Sequence, residues 1–244
     1  MTRSFSIEWQ LKTAYGTVTK LRFMKDQEFE DEAALLLAEY GNKHGQVTAP
    51  PIPVDEMVEL YLGLSLEFLD MQKLFGVADV HGALWVNEKR VGIDQRLDPG
   101  KNPAMLGRYH FTLAHEAGHW RLHRQLFLRR ANQHSLFPEG KERPEYICRS
   151  SDTEPIEYQA NRFASCLMMP REMLKRAWHE WREGMDPIFL LDLRAEQGDG
   201  ATDEQLLENA VRPLATTFQV SPEAMRIRAE GMGLVLRKRE ATLF

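Results

Sequence analysis

The segment RYHFTLAHEAGHWRLHR, residues 108–124, constrains the fold and chemistry of this 244-residue chain more than any other stretch. Within it, His115 and His119 stand four residues apart, and Glu116 directly follows the first histidine. Positions four apart on an α-helix share one face at about 6 Å, so both imidazoles can reach one metal ion. Glu116 is rotated by about 100° from His115, which places its carboxylate beside such an ion. The spacing predicts a helix that unites two ligands and a base.

The residues around the motif favour a buried helix over a surface helix with unrelated histidines. Phe111, Ala114, Ala117, Gly118 and Leu122 are apolar or small. Glycine costs a helix about 1 kcal/mol relative to alanine, so Gly118 indicates the close approach of another element. Buried imidazoles need polar partners, and a metal ion would supply one. HExxH also arises by chance, so the motif alone does not establish a metal site.

A catalytic zinc site needs a third protein ligand and an open coordination position. His123 would lie about 12 Å from His115 along the helix axis, which favours a position beside the ligands or at the surface. The metzincin pattern requires a histidine where this chain has Gln125, so that interpretation fails. Glu157 on a second predicted helix is the next candidate, with Glu154 as its alternative. Spacing alone leaves this choice open, because the helix dipole also favours a solvated first-turn glutamate.

Hydrophobic periodicity predicts short strands and several helices along the chain. Strand-forming pieces precede residue 25, and GALWVNEKRVGID predicts two strands about a turn. A long polar loop follows Arg130 and continues to about Thr153. Helices are predicted over residues 26–39, 54–61, 155–169 and 171–184. The motif helix is predicted to begin at about residue 111, with Thr112 as its cap. Two short helices, joined at residues 219–221, are predicted in the C-terminal part of the sequence.

Composition and charge exclude several broad classes of protein. The chain is 43% hydrophobic and 27% charged with a net charge of −5, which disfavours disorder and gives no overall attraction to nucleic acid. No apolar run approaches the roughly 18 residues of a membrane span, and residues 1–10 lack the apolar core of a secretory signal. Two cysteines, Cys148 in the polar loop and Cys166 in an apolar helix, are too few for a disulfide framework. We therefore expect a cytoplasmic protein.

FTLAHEAGHWRLH, followed further along the chain by IEYQANRFASCLMMP, resembles the ImmA/IrrE family of bacterial and phage metallopeptidases. The resemblance covers roughly residues 50–235. It implies that His115, His119 and Glu157 bind zinc, and that Glu116 is the general base that activates a metal-bound water. Many members carry a glutamate just before the alanine of the ANxFA segment, where this chain has Gln159. That departure removes one carboxylate near the ligands and leaves the ligand set intact.

The same resemblance implies a substrate and a biological setting. Characterised members act on helix-turn-helix transcriptional repressors and release genes of stress response or mobile-element transfer. We therefore expect a protein substrate of this kind. Zinc is the expected cofactor, although two imidazoles and a carboxylate also accept manganese, iron or cobalt. Tyr158, His134 and nearby arginines are open candidates for a second donor to the oxyanion.

We expect an α+β fold: a mainly helical zincin-like core with a small antiparallel sheet, followed by a C-terminal helix-turn-helix-like helical region. The expected divisions are an N-terminal extension over residues 1–50 without an assigned function, a metallopeptidase domain over 51–185, and the C-terminal helical region over 186–244. GNKHGQVTAPPIP, with two glycines and three prolines, marks the first of these boundaries.

A DNA-binding regulator is one competing interpretation, in which the tail helices would contact DNA. Met225 and Ile227 leave the second tail helix without a clear polar face for reading bases, and the chain is acidic overall. The sequence therefore disfavours direct DNA binding. The local positive charge comes from five basic residues: Arg226, Arg228, Arg237, Lys238 and Arg239.

A metal-containing regulator that binds a repressor without cutting it is the other competing interpretation. Such a protein would share every ligand with a peptidase, so the ligand pattern does not separate the two. An intact Glu116 favours catalysis, because holding a metal does not require a base at that position.

Overall fold

The computed structural model of the chain describes residues 8–12, 18–126, 128, 146–149, 154–197 and 200–238. These residues form the predicted α+β structure, in which helices predominate. Among them, no helix is both long enough and apolar enough to cross a membrane. His134 and Arg239, named above as candidates, lie outside the described residues, as does most of the polar loop.

The helices are α1 (Asp26–His44), α2 (Val54–Glu56), α3 (Met71–Phe75), α4 (Leu106–Gly118), α5 (Pro155–Met168), α6 (Arg171–Arg182), α7 (Leu190–Gln197), α8 (Asp203–Phe218) and α9 (Pro222–Gly231). Short π-helical turns continue α2 over Met57–Tyr61 and α4 over His119–His123. The strands are β1 (Glu8–Lys12), β2 (Val18–Arg22), β3 (Ser65–Leu69), β4 (Val80–Trp85), β5 (Arg90–Asp94), β6 (Tyr146–Arg149), β7 (Ile188–Phe189) and β8 (Val235–Leu236).

The central sheet has the strand order β3-β5-β4-β6. β4 pairs antiparallel with β5 and β6, as the sequence predicts for the hairpin, whereas β3 pairs parallel with β5. The predicted small sheet is present, and it is mixed because β3 adds one parallel pair to the antiparallel strands. β3 carries mostly exposed side chains, so it lacks the apolar alternation by which a half-buried strand is recognised.

The motif helix begins at Leu106, five residues before the predicted start. A 3₁₀ turn over Pro103–Met105 leads directly into it, and no side chain caps it, so Thr112 is an interior residue and not the cap. Gly107 permits this early start, because a Cβ there would lie 2.8 Å from the backbone carbon of Val220. The first turn of α4 therefore has a close packing contact with the turn before α9 and no capping side chain.

The polar loop predicted up to Thr153 contains strand β6. The backbone of Cys148 lies in this strand opposite Gly82, so its predicted location in a loop is wrong. Cys166, predicted to serve packing, is buried in α5. Tyr146 and Ile147 are strand-forming residue types, but the segment is short and polar residues surround it, and pairing with β4 identifies it as a strand.

The two ends of the chain largely follow the sequence prediction. β1 and β2 form an antiparallel pair, and α1 follows them but runs past residue 39 to His44, where Gly45 with φ of 109° ends it. At the other end, α8 and α9 pack together as the predicted helix pair. Ser221 caps α9 by accepting a hydrogen bond from the amide of Ala224.

The contact between α4 and α5 forms the centre of the hydrophobic core. Gly118 allows it, because a Cβ there would lie 3.1 Å from the Phe163 ring and 3.2 Å from the carbonyl oxygen of Ala160. This close approach confirms the packing reason predicted for the glycine. Five residues predicted to form the buried stripe of α5 are all buried: Ile156, Ala160, Phe163, Ala164 and Leu167.

Buried side chains from Leu21 to Val235 belong to one hydrophobic cluster. The cluster draws residues from all three predicted segments of the chain. Division at residues 50 and 185 stays a prediction.

A buried ion pair joins the N-terminal helix to the C-terminal one. The Arg228 guanidinium of α9 donates two 2.8 Å hydrogen bonds, one to each carboxylate oxygen of Glu30 on α1. Arg228 also donates to the carbonyl of Met169, and Arg171 donates to Glu30 at 3.0 Å. Burial alone would raise the pKa of Glu30, but the bonds and charges of the two arginines outweigh it and leave this pKa lowered.

We expect the Glu30–Arg228 pair to make stability pH-dependent. Because the folded-state pKa of Glu30 is lowered, its contribution is fully present above the unfolded value near 4.5 and is lost as the pH falls through the folded value. Glu30→Gln should lower the free energy of unfolding by about 3 kcal/mol at neutral pH and by less in acid, measured by urea denaturation across pH. The exposed pair of Glu172 and Lys175 provides the control, for which Glu172→Gln should cost less than about 1 kcal/mol. An equal cost for both variants would contradict this account.

Candidate metal centre

Two packed helices supply the side chains of the candidate site. His115 lies in the last turn of α4, and His119 is the first residue of the π-helical turn that continues it. Glu157 lies in the first turn of α5, which begins at Pro155 after the N-cap residue Glu154. The α4–α5 contact brings Glu157 against the two histidines. π-helical turns are rare and occur often at functional sites.

The ligand atoms of these three residues form a compact triangle. Nε2 of His115 lies 3.0 Å from Nε2 of His119 and 3.2 Å from Oε2 of Glu157. Oε1 of Glu157 lies 2.9 Å from Nε2 of His119. Two ligands held at about 2.05 Å by a tetrahedral ion stand about 3.3 Å apart, close to these separations. The donor set of two imidazole nitrogens and a carboxylate therefore fits a zinc ion in both size and chemistry.

Burial determines the protonation of these groups. His119 is fully buried, and this burial lowers its pKa to about 4, so its imidazole is neutral near pH 7, the form that binds metals. Burial would raise the pKa of Glu157, but its hydrogen bonds with His115 and His119 dominate and leave it well below the usual range. The cluster thus combines a neutral imidazole at His119 with an ionised carboxylate at Glu157.

Glu116 lies beside this triangle and outside it. It is fully buried, and neither of its carboxylate oxygens has a hydrogen-bond partner among the described residues. Burial raises the pKa of Glu116 to about 8, and the positive charge of a metal ion held by the triangle would lower this pKa again and favour the carboxylate. Strand β4 makes room for the carboxylate at Gly82, where a Cβ would overlap Oε1 of Glu116 and lie 3.0 Å from Thr112. An unpaired buried carboxylate is costly, which indicates a position reserved for a partner molecule.

The ring nitrogens that face away from the triangle have partners of their own. Nδ1 of His115 lies 2.9 Å from Oδ1 of Asn161, one turn after Glu157 on α5. Nδ1 of His119 lies 3.1 Å from Nδ1 of His123. Such outer contacts orient metal-binding histidines and fix which nitrogen carries the proton. His123 thus lies beside the ligands, one of the two positions that the sequence left open.

Two residues considered from the sequence lie outside the cluster, and two residues that contact the site were not identified from the sequence. Glu154 is exposed at the start of α5 and does not join the cluster. Tyr158 is 53% exposed and contacts Phe29 edge to face. Asn161 and Gly82 were not identified from the sequence. The i+4 spacing of Asn161 from Glu157 would have indicated the first, whereas the Gly82 contact depends on the position of the sheet.

A family model described as the IrrE N-terminal-like domain, peptidase M78, matches residues 71–230. The chain belongs to this family. The match confirms the resemblance drawn from the HEAGH and EYQANRFA segments, and it includes all four buried residues of the candidate site. A search of the curated proteins finds no match. Peptidase M78 members are metal-dependent peptidases, so the family and the cluster point to the same chemistry.

The arginines of the C-terminal helix pair are engaged within the protein. Arg226 bonds Glu208 and Glu230, and Arg228 is buried against Glu30. Arg237 bonds Glu230 and Glu204. Three of the five basic residues considered for DNA contact therefore pair with carboxylates of the protein itself.

We expect Gly82→Ala to impair peptidase activity without removing the metal. The new methyl group would displace the Glu116 carboxylate, and a misplaced catalytic group costs about 10- to 100-fold in rate. Metal content by elemental analysis should stay at the wild-type level. Ala83→Gly, a change of the same size at the next position of β4, should leave the rate nearly unchanged. Full activity of Gly82→Ala would show that the contact with Glu116 is unimportant.

Proposed function

We propose that this protein is a zinc-dependent endopeptidase that hydrolyses a peptide bond in a protein substrate. The observation that supports this most is the arrangement of four buried side chains. Three potential ligands lie in mutual contact, and the carboxylate of Glu116, with no hydrogen-bond partner among the described residues, lies beside them. Membership in a peptidase family supports the same reaction. His115, His119 and Glu157 are the proposed ligands, and Glu116 is the proposed general base.

His115, His119 and Glu157 would hold the zinc ion, which would polarise the scissile carbonyl and lower the pKa of the attacking water. Glu116 accepts a proton from that water on a carboxylate oxygen as the water oxygen bonds to the carbonyl carbon. Glu116 then gives the proton to the amide nitrogen as the C–N bond breaks, which regenerates its carboxylate. His115, His119 and Glu157 hold their ligand atoms in place throughout. Zinc is the proposed ion, and manganese, iron or cobalt would suit the same ligands.

The proposed substrate is a cytoplasmic helix-turn-helix transcriptional repressor, with stress response and transcription regulation as the setting. The family resemblance supports this substrate class. A cavity of about 510 Å³ lies between α4, α5 and α9, and none of the four proposed site residues lines it. Asn161, which contacts His115, lines this cavity together with Tyr158 and Phe111.

A regulator that holds metal and binds a repressor or DNA without proteolysis is the alternative. Ion pairing of Arg226, Arg228 and Arg237 argues against DNA. The buried carboxylate of Glu116 argues against simple metal holding, because burying a carboxylate without a partner is costly and a structural metal site does not need it.

We expect Glu116→Gln to keep its zinc and lose cleavage of a cognate helix-turn-helix repressor. The amide retains the size of the carboxylate but cannot accept the proton, so the rate should fall by at least about 100-fold. His115→Ala and Glu157→Ala should lose zinc as well as cleavage. Elemental analysis and gel-based cleavage assays measure the two properties separately.

Glu154→Gln is the matched control, because Glu154 is exposed and lies one turn before Glu157. It should keep both zinc and cleavage. Cleavage by Glu116→Gln at the wild-type rate would exclude Glu116 as the base. Loss of zinc from Glu154→Gln with retention by Glu157→Ala would exclude the proposed third ligand.

A further inference from the structure

A chain of buried hydrogen bonds leads from the candidate metal centre to the N-terminal strand pair. Nδ1 of His119 lies 3.1 Å from Nδ1 of His123. Nε2 of His123 lies 3.0 Å from Oε1 of Gln159, and Nε2 of Gln159 donates a 2.6 Å bond to the carbonyl oxygen of Arg22. His119, His123 and Gln159 are all buried. The chain thus ends on the backbone of β2.

When His119 binds a metal, the hydrogen bonds of this chain can run from donor to acceptor in only one direction, from His119 toward Gln159. Its Nε2 atom faces His115 and Glu157, so this nitrogen must be unprotonated and Nδ1 must carry the hydrogen. Nδ1 of His119 then donates to Nδ1 of His123, which leaves the hydrogen of His123 on Nε2. Nε2 of His123 donates to the amide oxygen of Gln159.

The end of the chain determines the orientation of Gln159. A carbonyl oxygen only accepts hydrogen bonds, so the backbone of Arg22 must face the NH₂ group of the amide. That contact turns the amide oxygen toward His123. A glutamate at position 159 would accept the bond from His123 equally well but would not donate to Arg22. Gln159 therefore fits both neighbours, and the fit depends on a strand that precedes the family match over residues 71–230.

We propose that His123, Gln159 and the β2 backbone position His119 for metal binding, and that residues 18–22 are thereby part of the metal centre. This inference rests on the proposed function, because it requires that His119 bind a metal. His123 and Gln159 are positioning residues, since they act on the ion only through His119. Partners of this kind typically change metal affinity by about 10- to 100-fold.

The first test is zinc affinity of the full chain, measured by competition with a chromophoric chelator. His123→Leu and Gln159→Met should each bind zinc about 10- to 100-fold more weakly than wild type. His110→Leu is the matched control, because His110 is a buried histidine of α4 that contacts Asp55 instead. It should bind zinc within about threefold of wild type, whatever its effect on thermal stability. Wild-type zinc affinity in both His123→Leu and Gln159→Met would overturn the proposal.

Gln159→Glu separates the two ends of the chain and serves where the apolar variants fold poorly. Its carboxylate keeps the acceptor for His123 but removes the donor to Arg22, so zinc affinity should fall by about threefold to tenfold, less than in Gln159→Met. Wild-type zinc affinity in this variant would exclude β2 from the metal centre. The variant also places an oxygen against the carbonyl of Arg22, so amide hydrogen exchange in β2 should become faster. A loss of zinc affinity as large as that of Gln159→Met, or unchanged exchange in β2, would contradict the proposed arrangement.

Nitrogen-15 NMR of the zinc-loaded protein reads the proton positions directly, independently of activity. Protons on Nδ1 of His119 and Nε2 of His123 are expected, and the reverse assignment for either histidine would overturn the proposal.

Failure of the proposed function and failure of the positioning chain would give different results. A wild-type chain that binds no zinc would refute the proposed function itself. Zinc-binding wild type with unaffected variants would refute only the positioning chain.

Discussion

The contact of α4 with α5 at Gly118 brings the three proposed ligands of the candidate metal centre together. With a glycine there, the backbones approach until Ala160 and Phe163 meet α4, and this distance sets Glu157 against two histidines. A Cβ at position 118 would require Phe163 and Ala160 to move by a few tenths of an ångström, and a larger side chain would require more. Position 118 thus affects both the packing of α4 against α5 and the arrangement of the proposed ligands, as expected where a site lies within a rigid core.

Electrostatics explains why these buried groups occur together. A carboxylate in an apolar interior loses its hydration, and the cost is large unless hydrogen bonds or opposite charge replace it. Glu157 obtains both imidazoles as partners, whereas the Glu116 carboxylate lies unpaired against Gly82. Glu30 avoids the same cost outside the candidate site by pairing with Arg228. A buried carboxylate that has a charged partner, such as Glu30, serves the fold. A buried carboxylate without a hydrogen-bond partner among the described residues, such as Glu116, indicates a site that binds a ligand.

The sequence predicted the parts of the molecule that depend on local spacing. The HEAGH turn, the apolar stripe of α5 and the cap at Ser221 follow from residues a few positions apart. It did not predict β3, the start of α4 or the strand containing Cys148, because pairing and packing with distant residues create them. The same distinction between local spacing and distant packing applies to the residues of the site. His115 and His119 follow from helix geometry, whereas the contacts of Gly82, Asn161 and Arg22 depend on how separate elements pack.

Zinc K-edge X-ray absorption of the protein loaded with one equivalent of zinc tests the central claim most directly. The account predicts two imidazole nitrogens at about 2.0–2.1 Å together with oxygen ligands, in a coordination number of four or five. Substituting Glu157 should reduce the protein oxygen contribution and leave the imidazole signal. A spectrum dominated by sulfur, or one without paired imidazoles, would contradict the convergence of α4 and α5 on a single ion.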